Sequence, residues 1–247
     1  KPFFMYFSTG TAHAPHHVPK EYIEKYKGKF KSGWDALRLK TLENQKQLGI
    51  VDQNTVLAEK EPYIVDWETL SKDERIVHER EMEVGSAFIE HADAQVMKVI
   101  DVIDNLGELD NTFIIYIMGD NGASAEGTIT GLTNINYYYN NVLDNTASHV
   151  NEIDEFGSKE YYGIYSSGWT VAACTPFKWT KQVASGGGTL DGALVSYPKG
   201  IQSKGEVRHQ FHHLIDVAPT ILELAGLPEP THVNGFEQIP MQGKSMS

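Results

Sequence analysis

The sequence predicts an α/β fold, a mainly parallel sheet sandwiched by helices, and three observations carry that prediction. Short apolar runs of strand length alternate with longer helically patterned segments. The runs are apolar throughout rather than alternating, as expected of strands buried on both faces. The clearest helix, over residues 71–106, separates two of these runs and is long enough to cross back over a sheet.

The elements follow in order. "FFMYFS" (3–8) is a short apolar run ending at "TGTAHAPHH", dense in turn formers and histidine, and reads as a buried strand. Residues 20–48 carry charged, roughly helical patterning around Tyr22, Ile23, Tyr26, Trp34, Leu37 and Leu42. Ser71 and Glu74 form a capping box, and Met82, Phe88, Ile89, Val96, Val99, Ile100 and Ile103 recur at three- and four-residue steps until Gly107. Phe113–Met118 reads as a second buried strand running into Gly119-Asp120-Asn121-Gly122. Residues 128–168 form a long Asn-, Tyr- and Gly-rich excursion of the kind that builds active-site walls. "GALVSYP" (192–198) reads as a third strand, and "FHHLIDVAPTILELAG" as a helix stopped at Gly226, with a kink or a fresh start at Pro219.

Bulk properties narrow the function. The formal charge of −12 among 247 residues argues against a nucleic-acid partner, which calls for a basic surface. No apolar run reaches the ~20 residues of a transmembrane helix. A single cysteine, Cys174, forbids an internal disulfide. The chain opens on Lys1 inside a strand pattern and stops at "MQGKSMS", which reads as a piece of a longer protein.

The chemistry-bearing residues cluster after predicted strands, where open parallel sheets bind ligands. His13 follows the first, and Asp120 and Asn121 the second. A carboxylate beside an amide oxygen suits a hard cation such as Ca²⁺, although Asp-Asn-Gly is equally a good turn sequence. Several other patterns fail. "DNGASAEGTITG" lacks the glycine and glutamate of an EF-hand loop, "QGKS" has Gln238 where a P-loop needs its first glycine, and "GASAEG" misses G-x-S-x-G spacing by one residue. "SGGGT" (185–189) reads as a tight connection, and the pairs His16-His17 and His212-His213 mainly as loop or helix surface.

Taken in order, "PFFMYFSTGTAHAPHHVPKEYIEKYKGKF", "GELDNTFIIYIMGDNGAS", "TPFKWTKQVASGGGT", "ALVSYPKGI" and "FHHLIDVAPTILELAGLPEP" resemble type I sulfatases over nearly all of the chain. They look most like bacterial arylsulfatases that use calcium and a formylglycine. The resemblance implies an alkaline phosphatase/sulfatase-like fold, with 1–247 as a partial catalytic domain. It implies that His13, in Ala-His-x-Pro, contacts the sulfate and bridging ester oxygen, that Lys181, in Thr-Pro-Phe-x-x-x-Lys, does likewise, and that Asp120 and Asn121 bind the calcium. It also implies a small sulfate-ester substrate and a formylglycine-generating enzyme as maturation partner, with the formylglycine and further calcium carboxylates upstream. The compartment is not legible in these residues; related enzymes are often exported, to the periplasm or outside the cell, and an export signal would lie upstream.

This chain departs from the family pattern at Gly119, where serine is usual, at Leu190, where arginine is frequent, and at Gly186. Cys174 lies in "CTPFK", one residue from the Cys-x-Pro-x-Arg maturation pattern. It has Lys178 where a guanidinium is required, so it is not the nucleophile. The expected function is sulfate-monoester hydrolysis by the intact protein, with this chain alone inactive. The alternatives are a phosphonate or phosphodiester hydrolase of the same superfamily and a non-catalytic, vestigial binding protein.

Overall fold

A computed structural model describes residues 1–119 and 121–247. Its contacts divide the chain into two compact units, 1–204 and 205–247. In the first, α1 (Lys20–Tyr26) and α2 (Gly33–Gln47) split the helical stretch after "PHHVP" at a tight turn over 27–32. The long helix α3 (Lys72–Asn105) starts at the expected capping box. Glu74 N donates to Ser71 Oγ at 3.3 Å and Ser71 N to Glu74 Oε2 at 2.7 Å, satisfying two donors that the first helical turn leaves open.

Strand β1 (Ile114–Ile117) follows, then the short α4 (Asn136–Tyr139), a 3-10 segment over Thr146–Glu155, α5 (Ser167–Ala173), α6 (Gly186–Thr189) and β2 (Ala193–Ser196). The register pairs Ile114 with Ser196 and Ile117 with Ala193, and the pairing is antiparallel. The expected mainly parallel sheet is therefore not present among the described residues. Residues 3–8, expected as a buried strand, join no ladder, and Phe3 to Phe7 are at least half exposed. An apolar run becomes a buried strand only where a neighbour offers both a hydrogen-bonding edge and a covering face. This run pairs with neither open edge of the β1–β2 ladder and is left exposed.

The core lies instead among helices and the 128–168 excursion. Trp34 and Trp169 meet edge-on at 5.6 Å, and Trp67 lies 4.9 Å from Trp34; Leu132, Ile164 and Tyr165 complete this cluster. A second cluster gathers Val18, Ile23, Val77, Val84, Phe156 and Tyr161 under α3. The excursion is thus packed structure, held by backbone bonds between Leu132 and Ile164 at 2.9–3.0 Å. A buried carboxylate on α3 ties it to that helix. Glu81 Oε2 lies 2.9 Å from His78 Nδ1 and accepts from Ser166 N at 3.1 Å.

The second unit holds a 3-10 turn, Leu214–Asp216, leading into α7 (Val217–Leu224), and the hairpin β3 (His232–Val233) with β4 (Phe236–Glu237). Pro219 falls in the first turn of α7, where its missing N–H costs nothing, so the helix makes a fresh start there. No helix among the described residues is long and apolar enough to cross a membrane.

Candidate functional site

Strand β1 ends at Ile117, and Met118, Gly119, Asn121 and Gly122 lie beyond its carboxyl end. There Gly122 takes φ +78°, and a Cβ on it would strike the Gly187 carbonyl, so only glycine permits this approach. Gly122 N donates to Asp191 Oδ1 at 3.2 Å, bringing a residue two positions ahead of β2 against the turn. Gly119 has φ +99°, a backbone conformation that strongly favours glycine over the serine usual in the resembling family. Asn121 is half-buried within this turn. Asp120 lies outside the described residues.

The segment from 123 onward is pinned. Thr170 Oγ1, on α5, donates to Ser124 O at 2.7 Å. Lys181 N donates to Ala123 O at 3.1 Å, which places Lys181 beside the turn despite its distance in sequence. Its ammonium lies 3.6 Å from Glu126 Oε1, and both side chains are mostly buried. Glu126 Oε2 in turn accepts from Ser124 Oγ at 3.0 Å.

His13 arrives from the turn after residues 3–8, fixed by His13 N donating to Gly10 O at 3.0 Å. Its Nε2 lies 3.3 Å from Lys181 Nζ. The ammonium can only donate, so in this contact Nε2 is the acceptor and the ring proton sits on Nδ1. His13 is solvent-exposed, so the pair forms an open cationic spot with an acid behind it. The 130 Å³ cavity beside His78 and the apolar groove of about 660 Å³ between α3 and the β1–β2 pair include neither residue.

The remaining sequence-based candidates take structural places. Cys174 caps the end of α5, buried, with Sγ donating to Gly187 O at 3.3 Å. Burial pushes its thiol up, the negative charges of Asp191 and Glu61 add to this, and a hydrogen bond from the Ala123 backbone opposes it. The glycine run at 186–188 is a tight connection, since a Cβ on Gly187 would strike the Trp179 carbonyl. His16, expected at the surface, is buried against Phe88 and Tyr165 instead. Leu190 is half exposed.

Sequence reasoning missed Glu126, Ser124 and Asp191. Glu126 sits inside "GASAEG", a stretch that fails both as a nucleophile elbow and as part of an EF-hand loop. Nothing local to Asp191 marks it, because its role comes from the antiparallel pairing that sets it against Gly122.

Comparison with known proteins comes down on one family. A family model described as Sulfatase matches residues 1–227. An uncharacterized sulfatase of Schizosaccharomyces pombe is 35% identical over 250 residues, covering 98% of this chain and 43% of its own length. An arylsulfatase of Klebsiella aerogenes is 26% identical over 249 residues, covering 100% of this chain and 51% of its own. The chain spans about half the length of the curated relatives it matches.

Proposed function

Since the chain belongs to the sulfatase family, we propose that it carries the sulfate-contacting part of a sulfate-monoester hydrolase of the arylsulfatase type. The observation that carries this reading is the meeting of His13 and Lys181 at 3.3 Å beside the turn that holds Asn121.

The chemistry of each side chain suits the task. Sulfate is small, so donors must reach it from separate directions, and two residues 168 positions apart supply two of them. Lys181 offers a charge that neutralises developing negative charge on a sulfate or bridging oxygen. In the absence of an anion its proton is shared with His13 Nε2. When the ammonium turns to a sulfate oxygen, that nitrogen is released to take up a proton from solvent and pass it to the departing alcohol or phenol. His13 thereby acts as general acid, and its solvent exposure allows re-protonation between turnovers.

Calcium fits the donor types at the turn. Asp120 and Asn121 would contribute two oxygens, the ligand atom that ion takes, out of about six to eight needed, so further donors must complete its shell. Bound there, the ion would supply charge neutralisation for the sulfate group. The nucleophile is a formylglycine carried outside these residues. The family resemblance supports this, as do the burial and capping role of Cys174, the chain's one cysteine.

The test is activity of the full-length protein co-produced with a formylglycine-generating enzyme. We expect turnover of 4-nitrophenyl sulfate to exceed that of bis(4-nitrophenyl) phosphate. The reverse preference would assign the site to phosphodiesters, and no turnover of either would leave a binding protein.

A further inference from the structure

We propose that Glu126 sets the charge selectivity of the His13–Lys181 pair, favouring a singly charged sulfate ester over a doubly charged phosphate ester. The inference rests on reading that pair as an ester-anion site.

A lysine and a histidine alone would hold a dianion more tightly than a monoanion, because each added negative charge gains attraction. The carboxylate behind Lys181 reverses part of that gain. Glu126 Oε1 lies 3.6 Å from Lys181 Nζ, with the two side chains only 11% and 13% exposed, so solvent screens the charge weakly. An anion docked on the far side of the ammonium therefore feels the carboxylate across one ammonium group. A sulfate monoester brings one negative charge to this site. A phosphate monoester, with its second ionisation near pH ~6, brings nearly two at neutral pH and above.

Glu126 is built in rather than a mobile surface acid. Ser124 Oγ donates to its Oε2 at 3.0 Å, and its own N donates back to Ser124 Oγ at 3.2 Å. Ser124 is in turn held by Thr170 Oγ1. The next residue, Gly127, packs so closely on the Tyr165 carbonyl that no Cβ fits there. Glu126 touches neither sulfate nor leaving group in this arrangement. It is a positioning residue that acts through Lys181, and it also holds the ammonium where His13 can reach it.

Removing one unit charge several ångströms from the ligand, at a dielectric between protein and water, changes the affinity ratio of dianion to monoanion by about tenfold. The matched probes are benzenesulfonate and phenylphosphonate, of near-equal shape but differing by one charge at about pH 8. Each is titrated calorimetrically, in calcium-containing buffer, into the full-length protein. Glu126→Gln, neutral and isosteric, should shift the affinity ratio about tenfold toward the phosphonate, while Glu126→Asp should stay near the parent ratio. Should Glu126→Gln fail to fold by circular dichroism, Ser124→Ala, which frees the carboxylate, carries the test with a smaller shift in the same direction. An unchanged ratio in folded Glu126→Gln, or an equal shift in Glu126→Asp, overturns the proposal. If the parent chain binds neither probe, the anion-site reading itself falls and takes this inference with it.

Discussion

His13 Nε2 and Lys181 Nζ stand 3.3 Å apart, although 168 residues separate them in the chain. Neither element that carries them is a regular strand or helix. Lys181 follows α5 on a loop clamped to Ala123 O, and His13 follows a short turn closed on Gly10 O. The contact is therefore a product of tertiary packing, and it makes the two side chains testable as a unit.

The proposed general-acid role of His13 predicts a loss that depends on the leaving group. His13→Ala in the full-length protein should slow alkyl sulfates more than 4-nitrophenyl sulfate, whose phenolate leaves without a proton. General acid catalysis is worth about 10²–10⁴-fold, so kcat on the poor leaving group should fall within that range. A loss that is equal across leaving groups would reduce His13 to a binding contact.

Cys174 should be chemically quiet. Its thiol is buried, donates to Gly187 O, and is pushed up by burial, so little nucleophilic thiolate forms at neutral pH. Iodoacetamide should leave the folded chain unmodified and label it after denaturation, read by intact mass. The same spectrum should show no aldehyde at this position after co-production with a formylglycine-generating enzyme. The 247-residue chain should then hydrolyse no aryl sulfate by itself. Turnover abolished by Cys174→Ala would contradict this.

His16 makes folding sensitive to acid. Burial between Phe88 and Tyr165, with the neighbouring His17 and His13 adding, lowers its pKa from 6.5 to about 4, against a hydrogen bond to Ala12 O at 3.2 Å. Between those values the unfolded chain binds a proton that the native chain refuses. Stability present above pH 6.5 is therefore lost as pH falls toward about 4, by roughly 3 kcal/mol in all from this group. Urea unfolding at about pH 7.5 and about 4.5 should show it, and His16→Phe should flatten the slope. An unchanged slope in that variant would place the acid sensitivity elsewhere.

Trp34 should be the costliest single truncation. It is 1% exposed, meets Trp67 and Trp169 edge-on, and donates its indole N–H to Val65 O at 3.1 Å. Trp34→Ala removes a large buried ring and should cost about 3–5 kcal/mol in chemical denaturation. A loss under about 1 kcal/mol would mean that the site collapses around the gap.

The parts legible in the sequence were those set by local chemistry. The Ser71–Glu74 box and the spacing from Met82 to Ile103 mark α3, and the apolar run Ile114–Ile117 marks β1. Strand direction was not legible, because a buried run reads alike in parallel and antiparallel pairs. The β1–β2 pairing is decided by where 75 intervening residues send the chain. The run 3–8 looked buried because its composition is apolar, yet burial depends on a partner surface that composition does not reveal. At the site, Lys181 alone reads as a surface lysine, and only the ordered resemblance to sulfatases singled it out. Its neighbour Glu126 carries no motif of its own, and the Lys181 contact alone marks it.

The central claim, that Lys181 and His13 hold the sulfate group, is tested most directly by kcat/KM of the full-length, formylglycine-matured protein on 4-nitrophenyl sulfate before and after Lys181→Ala. Loss of one charged donor aimed at the reacting group predicts a fall of about 10²–10³-fold with unchanged thermal unfolding. A kcat/KM within about twofold of the parent would contradict the account.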